Sequence, residues 1–449
     1  MTITPHRLSL SLCAALAALA LAGCSSTPKT VAPADPDLAL YRTVLNRVHA
    51  SYVEPVGENK LVANSLKGML TGLDPHSDYM SESEYQEMLD DSQGEFAGIG
   101  AELTREDGRP KVIAPIDDTP AARAGVQPGD VILRIDGKVT DGMSLQDVVD
   151  ALRGEAGTRV AITIGRRNHP PIDITITRAI IHVASVKWKL EPGGIGYARI
   201  SSFAEKTQPE LVTAIDAMTR AAGGRLNGFV LDLRNDPGGL LDESVRVAAD
   251  FLDGGVVVST RGREEDDDRV FHAAPAGDLI KGVPMVVLIN GASASASEIV
   301  AGALQDRRRA TILGTRSFGK GSVQTIIPLD GHGALRLTTA RYYTPSGRSI
   351  QDQGISPDIR VPLPKNEAVA NEEVIHESDL RGALRNPATA VRSDVPAGAG
   401  DEAKDANAAE RTINPTLIGT GQDYQLTRAL AEIHEMRIHP AARAQLSGS

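Results

Sequence analysis

A serine-rich turn and a lysine further along the chain are the residues whose types and spacing suggest chemistry. The run Gly291–Ile299 carries Ser293, Ser295 and Ser297 between a strand-like apolar segment and a helix-like segment. A serine at such a turn can present its hydroxyl at a helix N-terminus, where free N–H groups favour developing negative charge. Lys320 follows, and a lysine held among apolar residues can act as a base. The pattern predicts acyl transfer without histidine, and the plain alternative is that the Ser-Ala repeat only builds a turn.

Histidine and metal chemistry find less support in the sequence. Ten histidines occur, but none lies beside a strand-end acid in the pattern of a Ser-His-Asp triad. His76 has no second histidine at metal-binding spacing, and His332 lies between two glycines of a predicted hairpin turn. Both are interpreted as structural. We therefore expect neither a metal ion nor another cofactor.

The composition is that of a globular protein with aliphatic cores. The chain has 449 residues, of which 41% are hydrophobic and only 3% aromatic, and the length predicts about two to four domains. The formal net charge is −11 at pH 7. An acidic chain without a basic cluster argues against a nucleic-acid partner.

The N-terminus has the features of an export signal followed by a tether. Residues 1–23 contain a positively charged start and an apolar segment too short to span a bilayer. The segment ends in Leu21-Ala22-Gly23-Cys24, which resembles a bacterial lipobox and predicts a lipid on Cys24, with a tether over residues 24–36. Ser25, rather than Asp, follows the cysteine, which resembles lipoproteins that are sorted to the outer membrane. The expected location is therefore the periplasm, with the protein anchored to the outer membrane by its lipid. The alternative is an ordinary secretory peptide with an incidental Cys24.

Two regions precede the serine-rich turn. Residues 37–94 show helical periodicity, and Ser81 with Glu84 has the capping-box pattern of a helix start. Residues 95–180 resemble a PDZ domain in their order of elements and in the run Gly129–Gly137.

The resemblance to a PDZ domain predicts where a ligand would bind. PDZ domains add a peptide strand to a sheet edge and capture its C-terminal carboxylate with backbone N–H groups. The carboxylate is expected at the loop formed by Gly98, Ile99 and Gly100. The alternative is a PDZ-like fold that binds no ligand.

Residues 181–365 alternate apolar strands with amphipathic helices. The helix Leu211–Ala222 between two apolar runs predicts a βαβ unit. Further strands are expected to continue the same sheet, at residues 256–258, 285–289, 311–313 and 322–327.

The last region, residues 366–449, begins as a polar linker. Residues 386–414 are expected to be disordered, and Tyr424–Met436 is expected to form an amphipathic helix. Because a lone amphipathic helix needs an apolar partner, it must dock either on its own core or on another subunit.

Three segments then point to one family. Asp232–Gly239 ends a strand with two glycines that can present N–H groups to a carbonyl. The run Ser293–Ser297 supplies hydroxyls, and Gly319–Gln324 supplies an amine and a carboxamide. In this order, behind a PDZ-like domain, the segments resemble the carboxyl-terminal processing peptidases of family S41, over residues 37–365. The resemblance implies a multidomain α/β fold with a helical N-terminal region, a β-rich PDZ domain, a crotonase-like α/β serine protease core and a C-terminal helical extension.

The resemblance also implies roles for individual residues. It makes Ser295 the nucleophile, Lys320 the general base and Gln324 the residue that positions the lysine. The oxyanion hole would be formed by the backbone N–H groups of Gly239 and Ala296. Local sequence alone leaves the serines on either side of Ser295 open as nucleophiles. Because a free lysine titrates near about 10.4, burial would have to lower the pKa of Lys320 by roughly 3 units.

The expected function is a tail-specific serine endopeptidase of the periplasm that cleaves exported proteins with accessible C-terminal tails. Relatives carry an arginine that bridges to the catalytic domain at the position of Arg153, which makes Arg153 a candidate regulatory residue; the alternative is a surface arginine. The terminal helices suggest a homo-oligomer, and some relatives need an activating adaptor lipoprotein. The alternative functions are a catalytically silent PDZ scaffold of the envelope and a hydrolase of small acyl esters.

Overall fold

The computed structural model describes seven stretches of the chain: residues 36–106, 108–116, 118–275, 277–364, 366–368, 374–387 and 413–438. The predicted signal peptide, Cys24 and residues 24–35 of the tether lie outside the described residues, as do residues 388–412 of the predicted disordered segment. Within the described stretches, no helix combines the length and apolarity needed to cross a bilayer.

The chain divides into two compact units, with the boundary after Ser65. Helix α1 (Pro36–Ser51) belongs to the first unit, and α2 (Glu58–Thr71) begins there. None of the residues of α1 is buried, and its apolar side chains are exposed at Leu38, Leu40, Tyr41, Val44 and Val48. The helices predicted from periodicity are confirmed, and the apolar face of α1 has no core of its own.

The second unit opens with strand β1 (Asp78–Met80) and helix α3 (Glu82–Ser92). Ser81 caps α3: its hydroxyl accepts from Glu84 N, while the Glu84 carboxylate accepts from Ser81 N over 2.7 Å. The capping box predicted from the sequence is therefore confirmed.

The PDZ region is a sheet with one long helix against it. Its elements are β2 (Glu95–Gly98), β3 (Ala101–Glu106), β4 (Arg109–Pro115), α4 (Pro120–Arg123), β5 (Val131–Ile135), β6 (Lys138–Val139), α5 (Leu145–Leu152), β7 (Arg159–Gly165), β8 (Ile172–Thr177) and β9 (Ala179–His182). The sheet has the order β3-β4-β5-β7-β8, so β3 is an edge strand. Alternate residues of β7 point into the core at Val160, Ile162 and Ile164, as the two-residue period of a strand requires. Strands β2 and β9 pair with each other where the chain enters and leaves the region.

The predicted protease core is built on a second, mostly parallel sheet. Its elements are β10 (Val186–Glu191), β11 (Ile195–Ile200), α6 (Thr207–Ala221), β12 (Gly228–Asp232), α7 (Leu241–Ala249), β13 (Gly255–Arg261), β14 (Arg269–Ala273), β15 (Met285–Ile289), α8 (Ala296–Asp306), β16 (Thr311–Gly314), β17 (Ser322–Pro328), β18 (Ala334–Tyr343) and β19 (Ile359–Arg360). The sheet has the order β10-β11-β12-β15-β16-β19, and the strands from β11 to β19 are parallel. Every residue of β12 and β15 is buried, because both faces of the sheet are covered.

Helices cover the two faces of this sheet in different ways. Residues such as Phe229 and Val287 point toward α6, α7 and α8. Their neighbours Val230 and Val286 point to the opposite face, where they pack with residues of helix α9 (Tyr424–Ile438). The question that the sequence left open is thereby answered, since the C-terminal helix docks on its own core and its buried face is not free for another subunit.

Two of the strands expected in this sheet belong to another one. Strands β13 and β17 lie in a sheet with the order β1-β18-β13-β14, in which β17 pairs with β18. The prediction of one continuous sheet was wrong because β17 and β18 form a hairpin around the turn at Gly331–Gly333. A strand pattern indicates that a strand exists, but not which neighbour it pairs with.

The predicted disordered segment begins too early at Asn386. This side chain is fully buried, and its amide donates to Gln351 O over 2.7 Å and to Ser349 O over 3.3 Å. Because a buried amide with two partners is fixed in place, residues 374–387 form an ordered segment on the predicted protease core.

Candidate active site

The loops that carry the predicted nucleophile and the predicted oxyanion hole lie side by side. They are the nucleophile turn, Asn290–Ala296 after β15, and the oxyanion turn, Asn235–Gly239 after β12; the two strands are adjacent and parallel. Asn235 N donates to Asn290 Oδ1 over 3.0 Å, and Asn290 Nδ2 donates to Asn235 Oδ1 over 2.6 Å. Both turns therefore lie at the carboxyl ends of the parallel strands, which is where open α/β sheets bind ligands.

The three serines of the nucleophile region differ in their surroundings. Ser293 is fully buried and donates to Leu233 O over 2.7 Å, and Ser297 is fully buried and donates to Asp236 O over 2.9 Å. Ser295 is only partly buried. Two of the hydroxyls thus tie the turns together, and the middle serine is the one that solvent or a substrate can reach.

Ser295 has an unusual backbone conformation at the start of α8. Its φ is 55° and its ψ is −111°, which is rare for a residue with a side chain. The first helical residue is Ala296, whose N–H is among those that a helix cannot satisfy internally. The turn therefore presents a side chain and a donor at the positive end of the helix dipole.

The carboxylate of Glu298 joins the nucleophile turn to the lysine loop, Phe318–Gly321. Its Oε2 accepts from the backbone nitrogens of Ser295 over 2.8 Å and Lys320 over 2.9 Å, and its Oε1 accepts from Gly319 N over 2.7 Å. Burial raises the pKa of Glu298 to about 7, although these hydrogen bonds act in the opposite direction.

The Tyr342 hydroxyl forms a second link between the two segments. It donates to the carbonyl of Ser295 over 3.2 Å and also contacts the carbonyl of Lys320. Because Tyr342 is fully buried, both segments are held on a rigid side chain of β18.

The surroundings of Lys320 lower the pKa of its ammonium. Burial is the largest cause, because it penalises the charged form. The nearby charge of Arg336 lowers the pKa further, and the charges of Glu377, Glu298 and Asp74 oppose the shift. The direction is the one that a general base requires.

The oxyanion turn lies directly against the nucleophile turn. A Cβ added to Gly238 would lie 2.7 Å from Ala294 O and 2.9 Å from Ser295 Cβ, so no side chain fits there. Gly239 forms an isolated bridge with Phe203, whose nitrogen donates to Gly238 O over 2.9 Å. A Cβ at Gly238 would also lie 2.9 Å from Ala296 N, so the oxyanion turn lies against the first N–H of α8, as the predicted oxyanion hole requires.

Gln324 lies on β17, close to the lysine loop. Its Nε2 donates to Ser322 Oγ over 3.0 Å and to Thr338 Oγ1 over 3.1 Å. Thr338 in turn donates to Asp74 Oδ1 over 3.1 Å. The amide of Gln324 is therefore part of a polar network that reaches the turn before β1.

The predicted carboxylate loop precedes the edge strand β3, as strand addition requires. Ile99 is buried and its carbonyl accepts from Ala121 N over 2.8 Å, while Gly98 ends β2. Gly100 has a φ of 77°, and a Cβ there would lie 2.4 Å from Thr119 Cβ. Only glycine fits at residue 100, and the loop conformation depends on it.

Arg153 lies at the C-terminal end of α5. Its guanidinium is 3.9 Å from a carboxylate oxygen of Asp91 and stacks over the ring of Phe96 at 5.3 Å. Arg153 thus joins the end of α5 to α3 and to β2.

Three site residues were not identified from the sequence: Glu298, Tyr342 and Asp236. For Glu298 a signal existed, because Ser295-x-x-Glu298 has the spacing of a capping box. Tyr342 acts through partners distant in sequence, and the backbone carbonyl of Asp236 accepts from the distant Ala294 and Ser297, so no local pattern marks either residue. Over the residues that the structure describes, no group of three or more His, Cys, Asp and Glu side chains could hold a metal ion.

Fold and site together define a serine hydrolase that carries a PDZ domain. The sequence model of peptidase family S41 matches residues 194–361, and a PDZ domain model matches residues 111–166. A carboxy-terminal-processing protease of Bartonella bacilliformis is 53% identical over 351 residues, which are 78% of this chain and 80% of that protein. The chain belongs to the carboxy-terminal processing peptidases of family S41, which are serine proteases.

Two further similar proteins share less identity with the chain. A probable CtpA-like serine protease of Staphylococcus haemolyticus is 36% identical over 74% of this chain, and the chain spans 65% of its length. Among solved structures, a photosystem II D1 C-terminal processing protease aligns with 30% identity and a TM-score of 0.43, over 73% of this chain and 93% of its own.

Proposed function

We propose that the chain cleaves exported envelope proteins that it recognises through their C-termini, with Ser295 as nucleophile and Lys320 as general base. The observation that carries the proposal is the double link between these residues, through the Glu298 carboxylate and the Tyr342 hydroxyl. Neutral Lys320 takes the Ser295 proton as the serine oxygen attacks a peptide carbonyl. The N–H groups of Gly239 and Ala296 receive the oxyanion, the protonated lysine returns its proton to the leaving amine, and water releases the acyl-enzyme.

Cleavage of a flexible protein by the chain from residue 25 onward tests this dyad. Ser295→Ala and Lys320→Ala are expected to abolish cleavage, whereas Lys187→Ala, on an exposed position of β10, leaves it unchanged. Cleavage that survives Ser295→Ala would make the dyad wrong. A parent that is folded but inactive on every substrate would instead favour the silent scaffold.

Substrate selection is assigned to the PDZ region. The edge position of β3 and the tight loop at Gly100 support capture of a C-terminal carboxylate by strand addition. Paired peptides with a free and an amidated C-terminus measure this directly. We expect tighter binding of the free acid, and loss of that difference in Gly100→Ala; a simple ester cleaved as well as the peptides would favour the small-ester hydrolase.

Arg153 is proposed to couple tail binding to the site. A continuous chain of contacts supports the coupling, because Arg153 meets Asp91 on α3, and the next residue, Ser92, accepts from Glu205 N over 2.9 Å. Glu205 lies two residues after Phe203, which holds the oxyanion turn. Arg153→Ala should reduce activation by a tail peptide, while Arg159→Ala, at an exposed position of β7 away from the edge strand, does not. Unchanged tail binding and turnover in Arg153→Ala would contradict the coupling.

The cellular setting is proposed from the N-terminal sequence. The lipobox ending in Cys24 favours a lipid anchor and a periplasmic location at the outer membrane. Removal of the signal peptide should be blocked by globomycin, and Cys24→Ala should leave the membrane fraction. The exposed apolar face of α1 supports a homo-oligomer, which sedimentation of the chain with and without residues 36–51 tests. An adaptor lipoprotein is required only if the folded oligomer remains inactive alone.

A further inference from the structure

A carboxylate outside the matched peptidase region holds the lysine loop. Glu377 begins a 3₁₀ turn, Glu377–Asp379, in the ordered segment 374–387, and its side chain is 1% exposed. Its backbone nitrogen donates to Phe318 O over 3.1 Å, at the start of the lysine loop. Its Oε2 lies 2.8 Å from His76 Nε2, and its Oε1 accepts from Gln351 Nε2 over 3.0 Å.

Gln351 extends this contact to the other end of the lysine loop. Its Oε1 accepts from Gly321 N over 2.9 Å while its Nε2 donates to Glu377. Phe318 and Gly321, on the two sides of Lys320, are therefore both tied to the same carboxylate residue, one directly and one through a buried amide.

The histidine that faces Glu377 is itself held by a rigid turn. Asp74 Oδ1 accepts from His76 N over 2.8 Å, and Asp74 Oδ2 accepts from the Ser77 hydroxyl over 2.7 Å. Arg336 Nε donates to His76 O over 3.2 Å. His76 thus meets Glu377 in one defined position.

Several charged groups near Glu377 act on the pKa of Lys320. Glu377 is the charge that most strongly raises the pKa of Lys320 against the lowering caused by burial; Arg336 lowers it, and Glu298 and Asp74 also raise it. Glu377 contacts one titratable group, His76, and its charge acts on three others, Lys320, Tyr342 and Asp352.

We propose that Glu377 is a positioning residue for the dyad: it fixes the lysine loop, and its carboxylate stabilises the ammonium that Lys320 becomes when it takes the Ser295 proton. The inference rests on the proposed dyad. The aspartate of a Ser-His-Asp triad has the same task, since it orients the base and stabilises its protonated form. The proton still moves only between Ser295, Lys320 and the leaving amine.

The test is the pH dependence of kcat/KM for a flexible protein substrate, measured on the full chain and on Glu377→Gln. Without the carboxylate the ammonium of Lys320 is less stable, so the rise of kcat/KM with pH should begin at lower pH. A shift of one pH unit corresponds to a tenfold change in the protonation equilibrium, and we expect kcat to fall about tenfold with little change in KM. Glu298 and Asp236 are intact in the variant, but His76 loses its partner as well. The same shift on adding Glu377→Gln to a His76→Gln background assigns it to Lys320 rather than to His76.

Asp379→Asn is the matched control, because it removes a carboxylate from the same turn. Asp379 is exposed and its carboxylate accepts from His376 N over 2.8 Å. We expect its pH profile and kcat to equal those of the parent. Glu377→Asp, which keeps the charge, should restore the position of the profile.

A folded Glu377→Gln variant whose profile does not move would overturn the electrostatic role, whatever its rate. If that variant does not fold, Gln351→Met cuts the link to Gly321 and leaves the carboxylate; kcat is expected to fall, and an unchanged kcat would overturn the positioning role. Lys320→Ala separates this result from the dyad itself. An inactive Lys320→Ala with an unshifted Glu377→Gln refutes only the present inference, whereas an active Lys320→Ala refutes the dyad.

Discussion

The backbone nitrogens of Ser295 and Lys320 donate to the same atom, Oε2 of Glu298, over 2.8 and 2.9 Å. The other carboxylate oxygen accepts from the Ser317 hydroxyl over 2.5 Å and from Gly319 N over 2.7 Å. Four donors therefore converge on one fully buried side chain. The nucleophile turn and the lysine loop cannot separate without breaking these bonds, so Glu298 sets their relative position.

Glu298→Gln is expected to lower kcat/KM about a hundredfold. One carboxylate oxygen becomes an NH2 group, which points at N–H donors that it cannot accept from, and the lysine loop is displaced. A buried donor without a partner also costs about 1–3 kcal/mol of unfolding free energy. Glu243→Gln is the control, since Glu243 is a buried carboxylate on α7 that accepts from Gln208 N over 3.0 Å, away from both loops. Steady-state kinetics should show a loss of activity in Glu298→Gln only, and urea unfolding measures the stability of both variants. If Glu298→Gln has the same kinetics as the parent, the shared carboxylate is not needed.

Ser293→Ala separates a structural serine from the nucleophile. Ser293 Oγ donates to Leu233 O over 2.7 Å and accepts from Asn290 N over 3.0 Å, so its loss leaves two buried groups without this partner. We expect a loss of about 1–3 kcal/mol in stability, with cleavage retained below the unfolding temperature. This interpretation would be contradicted by a Ser293→Ala protein that is folded and inactive, although a serine-directed phosphonate labels its Ser295 as fast as that of the parent.

The sequence predicted the parts of the site that are encoded locally. Strand β15 was predicted with its observed bounds, Met285–Ile289, because a short apolar run is a local signal. The contact between Glu298 and Lys320 could not be predicted in this way, since it depends on how β16 and the following loop fold back onto α8. For the same reason β17 was assigned to the wrong sheet. Glu377 lies beyond every recognised motif, and only the tertiary structure places it beside Phe318.

Asp236→Asn is expected to change how stability depends on pH. Asp236 Oδ1 accepts from Gly238 N over 2.8 Å, Oδ2 is buried with no hydrogen-bond partner among the described residues, and burial raises the pKa of Asp236 from 3.8 to about 8. A carboxyl whose pKa is raised on folding contributes stability that is complete below its unfolded pKa and is lost as the pH rises through its folded pKa.

The parent should therefore lose stability relative to Asp236→Asn from about pH 4 to about pH 8, by at most about 1.4 kcal/mol per pH unit. Above that range the difference should stay constant. Urea unfolding at pH 5, 6, 7, 8 and 9 measures it, with Asp242→Asn on α7 as a control. A difference that does not depend on pH would mean that the Asp236 carboxyl is ionised in the folded protein at neutral pH.

Asp423→Ala tests how the C-terminal helix supports the oxyanion turn. Arg234, directly before that turn, donates to Asp423 over 2.9 and 2.6 Å and to Asp232 over 2.9 and 2.6 Å, and all three side chains are fully buried. Breaking a buried ion pair from one side costs about 3–5 kcal/mol, because the remaining charge is left without its partner.

The loss should be largest at neutral pH. Burial opposes the shift, but the Arg234 guanidinium holds the pKa of Asp423 below its ordinary value of 3.8, so this stability is present above about pH 4 and is lost as the pH falls through the folded pKa. Urea unfolding at pH 7 and pH 3 should show the gap between parent and Asp423→Ala narrowing in acid, while Glu435→Ala, on the exposed side of α9, stays close to the parent at both. If parent and Asp423→Ala had the same urea midpoint at pH 7, the apolar contacts of Leu426 and Ile433 alone would hold the helix. The position of Arg234 would then not depend on its ion pair with Asp423.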